Sequence, residues 1–247
     1  MIRESFIFLE GVGSLREKKL WQQGINHWDH FLEQPVQGIA QKTKVKHAFQ
    51  IKQAERALQD YDFSFFHTTL PKNQHWRLFQ QIKDNVVYLD IETSGYYGDI
   101  TVLGMYDGQQ TMTMVKGKNM DKELFNKTLQ NYDGIATFNG SSFDLPIITR
   151  YFGTNFNNHV HIDLRHVCSK IGLRGGLKNI EKEIGLKRAE EVAGVTGEDA
   201  VYLWQQYQAT GNAKYLQLLV QYNEEDIVNL EPLAKKVIPQ VWKAIHF

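Results

Sequence analysis

The sequence predicts an α/β protein, a mixed sheet flanked by helices and preceded by a helical N-terminal segment. Three observations lead there. Residues 1–84 carry helical apolar spacing and little strand signal. Three strand-like runs follow at 86–91, 100–106 and 110–115, joined by short turns. Beyond residue 121, shorter strand runs alternate with helical ones. Strands joined by tight turns pair antiparallel, and strands separated by helices pair parallel, so the sheet is expected to be antiparallel at first and parallel later.

In the first segment Trp21, Ile25, Trp28 and Leu32 recur at i, i+4, i+7 and i+11, one stripe on a helical surface. The polar stretch 34–44 reads as a loop, and residues 45–58 as a second helix through Ala48, Phe49, Ile51 and Ala54. The character changes at Asn85, which divides the chain into a 1–84 segment and an 85–247 domain. Val86-Val87-Tyr88-Leu89-Asp90-Ile91 is rich in β-branched and aromatic residues and of strand length. Asp107-Gly108 marks a tight hairpin, since its first residue tolerates positive φ and its second favours it. A helix is expected from Asp121 to Leu129, then a short buried strand at 134–138. Pro146 fits the first turn of a helix that runs through Phe152. Residues 159–164 form another strand, and helices follow at 177–184, 198–208, 213–230 and 233–245.

Composition sets the setting. Of 247 residues, 42% are hydrophobic and 23% charged, values of an ordinary globular chain that exclude collagen-like and wholly disordered classes. No apolar run approaches the roughly 18 residues of a membrane span, and the first ten residues are too short in apolar character for a secretory signal. Cys168 is the single cysteine, which fits a reducing cytoplasm. A cytoplasmic protein without membrane contact is expected. The 28 basic and 28 acidic residues cancel, yet residues 163–188 hold seven Lys/Arg against three Asp/Glu. Such a stripe suits nucleic acid, and equally suits solvated helix surfaces.

Three acidic stretches stand out. Asp90 and Glu92 share one face of a strand, at its C-terminal end, where open α/β sheets place ligands. Paired carboxylates there repel unless a cation sits between them, and oxygen-only donors favour a hard ion such as Mg²⁺ or Mn²⁺; two acids that merely solvate the strand end are the alternative. Asp144 stands in the first helical turn after Asn139-Gly140-Ser141-Ser142-Phe143, where a capping Asp is also common. Tyr222 and Asp226 lie within about 40° of one another on a helix, with Glu225 about 60° to the other side of Tyr222, so spacing leaves the choice of acid open. A surface acidic patch is the rival reading there.

Taken in this order, Asp90-Ile91-Glu92-Thr93, the run from Asn139 through Asp144 to Pro146, and Tyr222-x-x-x-Asp226 resemble the three motifs of the DEDD superfamily of 3′→5′ exonucleases, whose fold is ribonuclease H-like. The middle motif looks like the form in proofreading domains of family B DNA polymerases. Gln221 stands where the histidine branch would carry His, so the likeness is to the tyrosine branch. Residues 6–13, Leu20-Trp21, residues 24–28 and residues 161–164 further resemble the YprB-like group of bacterial proteins.

The resemblance implies that Asp90, Glu92, Asp144 and Asp226 bind two divalent ions, Mg²⁺ or Mn²⁺, and that Tyr222 positions an attacking water. Four converging carboxylates make six pairs, each repelling by roughly 3 kcal/mol at about 5 Å and an effective dielectric near 20, which two divalent charges would relieve. The substrate would be a nucleic acid, DNA or RNA, met by Thr93, Asn139, Phe143, Arg174 and Lys178. Arg174 and Lys178 flank Gly175-Gly176, a helix start whose free N–H groups suit a phosphate as well as a plain cap. Residues 9–14 resemble half of a helix-hairpin-helix, or form a simple turn. Asp163 is expected to cap or support rather than bind metal, and His161 and His166 to be ordinary histidines. Two rivals stand beside the exonuclease: a non-catalytic nucleic-acid-binding protein on the same fold, and a ribonuclease H-type endonuclease.

Overall fold

The computed structural model describes residues 1–95 and 98–246. A 3-10 turn (Ile2–Glu4) opens the chain, followed by α1 (Ser14–Gln22), α2 (Trp28–Glu33), α3 (Gln41–Gln59), α4 (Ser64–Thr69), a 3-10 stretch (Lys72–Leu78) and α5 (Phe79–Ile82). The N-terminal segment is helical, as expected, but its apolar stripe is divided between two helices. Gly24, at φ +81°, turns the chain after α1, so Trp21 and Trp28 enter the core from separate elements. Helix α3 starts earlier than its apolar residues suggested, which shortens the expected 34–44 loop. Gly11-Val12-Gly13 forms a turn into α1, with Gly13 as the cap; ahead of it the helical element is the 3-10 turn.

The rest of the chain runs β1 (Val86–Thr93), β2 (Ile100–Tyr106), β3 (Thr111–Val115), α6 (Lys122–Leu129), β4 (Gly134–Thr137), α7 (Asp144–Phe152), β5 (Val160–Asp163), α8 (Leu164–Ser169), α9 (Leu177–Ile184), α10 (Glu190–Ala193), α11 (Gly197–Thr210) and α12 (Ala213–His246). The sheet order is β3-β2-β1-β4-β5. Strand β1 pairs antiparallel with β2 and parallel with β4, and β4 pairs parallel with β5, the mixed sheet the element order predicts. The tight connection expected between β1 and β2 includes residues 96–97, outside the described residues. Between β2 and β3, Gly108 takes φ +94°, and the Asp107 carboxylate accepts the N–H groups of Gln109 and Gln110 at 2.8 Å.

Alternation along β1 sends Val87, Leu89 and Ile91 into one core with Phe125, Ile148 and Phe152, the side of α6 and α7. Val86 and Tyr88 face the other side, where they join a core with Leu230, Leu233 and Trp242 of α12 and Phe6, Trp28, Phe66 and Trp76 of the N-terminal segment. The first 84 residues thus share one apolar interior with the sheet. A buried ion pair reinforces it: Arg77 Nη1 and Nη2 meet Glu17 Oε1 and Oε2 at 2.7 and 3.0 Å.

Helix α12 departs most from expectation. Two helices, 213–230 and 233–245, are one continuous helix of 34 residues, about 51 Å long. Pro232 and Pro239 lie inside it, each without a backbone donor. Packing carries the helix past them: Leu230, Leu233, Ala234, Val237, Ile238 and Val241 are all buried. Among the described residues no helix is long and apolar enough to cross a membrane.

Candidate metal centre

Strand β1 presents Asp90 and Glu92 on the face that α12 covers, and α12 contributes Asp226. One carboxylate oxygen from each of these three residues lies within 4.8 Å of the others. Among the described residues, this trio is the one group of His, Cys, Asp or Glu side chains close enough to hold an ion. Asp144, first residue of α7, stands beside it. Its Oδ1 accepts the N–H of Ile91 at 3.1 Å, the backbone link between Asp90 and Glu92. Tyr222 is buried one turn before Asp226.

The electrostatics follow from that geometry. Burial pushes the Asp90 carboxyl well above the usual range, and the charges of Asp144, Glu92 and Asp226 push further, against one hydrogen bond from Asn223. Glu92 is raised well above its usual value by burial and by Asp226 and Asp144, with Lys178 opposing. Asp144 is pushed up to about 7, chiefly by burial, while backbone N–H bonds hold it back. Burial also raises Asp226, opposed by the adjacent Arg188. Protons would settle on this cluster near neutrality unless positive charge replaced them. Clustered carboxylate oxygens whose mutual repulsion Arg188 and Lys178 relieve only in part are a donor set that fits a hard divalent cation. Burial and the neighbouring acids raise the Tyr222 phenol further above its already high ordinary value, so it stays neutral at physiological pH.

Around the acids stands a layer that residue spacing did not single out. Arg188, just past α9, is nearly enclosed; its Nε and Nη2 hold Glu181 at 2.5 and 2.9 Å, and Nη2 also reaches Asp226 Oδ1 at 2.5 Å. The next residue, Ala189, donates its N–H to Glu225 Oε2 at 3.0 Å. This resolves the choice between neighbouring acids: Asp226 turns to the cluster, and Glu225 fastens the adjoining backbone. Asn223 lies three residues before Asp226, a spacing that puts both on one helical face and is the signal by which it is legible. Glu181 and Arg188 come together only through the turn after α9.

The residues expected against nucleic acid are dispersed. Lys178 is at the site, its Nζ 4.7 Å from the centre of the Tyr222 ring. Thr93 is buried and donates its hydroxyl to the Gly95 carbonyl at 2.8 Å. Asn139, at φ +70°, donates its N–H to Asp163 Oδ1 at 2.9 Å and accepts at Oδ1 from Arg165 at 2.7 Å. Phe143 packs against the α6–α7 side of the sheet, and Arg174 is exposed.

Asp163 caps α8 as expected and also holds the loop before α7, accepting from Asn139, Ser141 and Arg165. Burial disfavours its charge, but the donors from Ser141 and Asn139 outweigh this and leave it below its ordinary value. His161 lies 2.9 Å from the Thr137 hydroxyl, and burial lowers it to about 4, so its ring is neutral. A cleft of about 710 Å³ adjoins this loop, walled by Ser141, Leu145, Pro146 and Asp163 on one side and by Lys72 and Trp76 on the other. None of the acid trio lines it.

A comparison with curated proteins finds no match. The model of the RNase H superfamily matches residues 87–238, from the start of β1 to late in α12, a span that holds the four acids and Tyr222. On that match over more than half its length, the chain belongs to the RNase H superfamily.

Proposed function

We propose that this protein is a metal-dependent 3′→5′ exonuclease of the tyrosine-type DEDD class, kin to the YprB-like group, that hydrolyses phosphodiester bonds at nucleic-acid 3′ ends. The observation that carries the reading is the meeting of Asp90, Glu92 and Asp226, with Asp144 beside them and Tyr222 one turn away. RNase H superfamily members generally act on nucleic acids. A binding module gains nothing from buried carboxylates that repel one another, so the cluster favours turnover over binding alone.

Asp90, Glu92, Asp144 and Asp226 would hold Mg²⁺ or Mn²⁺, two ions in this reading. Bound there, such ions supply an activated water and a countercharge for the departing oxygen. The chain's own part is to bind and orient. The Tyr222 hydroxyl, neutral at working pH, aligns the water by hydrogen bonding and is a poor base. Lys178, beside Tyr222, meets the phosphate backbone. The cleft walled by Ser141, Leu145 and Pro146 offers room for a flanking nucleotide. Cys168 is buried, and burial pushes its thiol up to about 12, which suits an inert structural cysteine in the cytoplasm.

The test is degradation of end-labelled DNA and RNA with Mg²⁺ or Mn²⁺, next to Asp226→Ala. A ladder of products shortened from the 3′ end, lost in the variant, is the expected result. Internal cuts would make it an endonuclease. No degradation of any substrate, or an unimpaired variant, would overturn the assignment.

A further inference from the structure

We propose that Arg188 is a resident counter-cation of the acid cluster: it holds Asp226 in position and competes with a divalent ion for that carboxylate, so its presence weakens metal binding. The inference deepens the metal-dependent reading above and rests on it.

The geometry is that of one guanidinium shared between two acids. Glu181 is buried, and its two oxygens take Nε and Nη2 of Arg188 in a forked pair. That pair alone neutralises the arginine. The 2.5 Å contact to Asp226 Oδ1 is therefore additional, and it draws on a carboxylate that already stands within 4.8 Å of Asp90 and Glu92 oxygens. An arginine charge cannot be removed by deprotonation, so it acts at every pH the protein meets.

The segment has no free swing. Ala189, the next residue, donates its backbone N–H to Glu225, which neighbours Asp226 on α12. Two successive residues of the 188–189 segment are thus fastened to two successive acids of one helix. A mobile arginine would step aside when an ion arrived, whereas this one stays within reach and continues to compete. It also serves the cluster without metal, where a positive charge beside Asp226 limits the repulsion among the acids. Arg188 is accordingly a positioning residue, acting through Asp226.

Removing the charge and removing its other partner should have opposite effects. In Arg188→Gln, Asp226 is free for metal. In Glu181→Gln, the arginine loses its neutralising partner and pulls harder on Asp226. A purely structural brace predicts no such reversal.

The experiment is calorimetric titration of the full chain with Mn²⁺ in the absence of nucleic acid, with thermal unfolding in chelator. Wild type, Arg188→Gln, Glu181→Gln and the exposed neighbour Lys187→Gln are compared. Arg188→Gln should bind Mn²⁺ about tenfold more tightly and melt lower in chelator. Glu181→Gln should bind several-fold more weakly, and Lys187→Gln as wild type. Unchanged or weaker binding by folded Arg188→Gln overturns the proposal. If that variant does not fold, Glu181→Gln decides, and undiminished affinity there overturns it. Wild type that binds Mn²⁺ while the variants do not differ leaves the metal-dependent reading standing and removes this one. No binding by any of the proteins removes both.

Discussion

Asn223 donates its side-chain amide to Asp90 Oδ2 at 2.9 Å, joining α12 to β1 across 133 residues of sequence. Gly104, which pairs with Asp90 across the sheet, makes room for the contact: a Cβ there would collide with Asn223 Oδ1. The helix can approach the strand closely because one partner residue has no side chain.

That hydrogen bond favours the charged form of Asp90, against burial and the neighbouring acids. Asn223→Ala should therefore raise the Asp90 carboxyl further and weaken Mn²⁺ binding most at pH 6, where protons compete best. The check is Mn²⁺ titration at pH 6 and pH 8. A loss of affinity equal at both pH values would contradict it.

Asp226 and Glu225 are adjacent acids with different work. Asp226→Asn should lower 3′-end cleavage by roughly a hundredfold or more, the scale of losing one electrostatic group from an active site. Glu225→Gln should leave the rate within about threefold and cost about 1 kcal/mol of stability, through a weaker bond to Ala189. Single-turnover rates with melting temperatures separate the two.

Tyr222→Phe should be milder than Asp90→Ala. In the proposed reaction the phenol would orient the water rather than take its proton, since burial keeps it neutral. Single-turnover cleavage by both variants, at saturating Mg²⁺, tests this order.

Metal-free protein should lose stability as pH rises from about 4 to about 7. Asp144 titrates near 7 in the fold against an ordinary 3.8, so over that interval the folded state holds a proton that the unfolded state has released. Stability then falls by about 1.4 kcal/mol per pH unit for each such proton. Asp90 and Glu92, also raised, add to the same trend. Melting curves in chelator should show the decline, and Mn²⁺ should flatten it.

Glu17→Ala should destabilise by about 3–5 kcal/mol, because it strands the Arg77 guanidinium in the core without its partner. Chemical denaturation of the variant gives the value directly. By the same packing logic a fragment of residues 85–247 should fail to fold, since it would expose Trp242 and the α12 surface that Trp21 and Trp76 cover.

Much of the sheet is legible in the chain because its signals are local. The β-branched run at Val86 and the bounds of β2 need no tertiary information, and the Asp90/Glu92 pair follows from strand alternation. What escaped depends on packing at a distance. Pro232 is a sound reason to end a helix, yet a fully buried flank carries α12 past it. The stripe from Trp21 to Leu32 has helical period, but Gly24 breaks the backbone inside it. Arg188 looks like one more basic residue in a charged stretch, and its place beside Asp226 exists only after α9 and α12 are brought together.

Helix α12 advances 100° with each residue, so its phase decides which acid faces which neighbour. Inserting or deleting one residue between the buried Leu219 and Asp226 would rotate Glu225 or Ile227 into the pocket in place of Asp226. Substitutions along that stretch have local consequences, whereas a change in its length miskeys the whole centre at once.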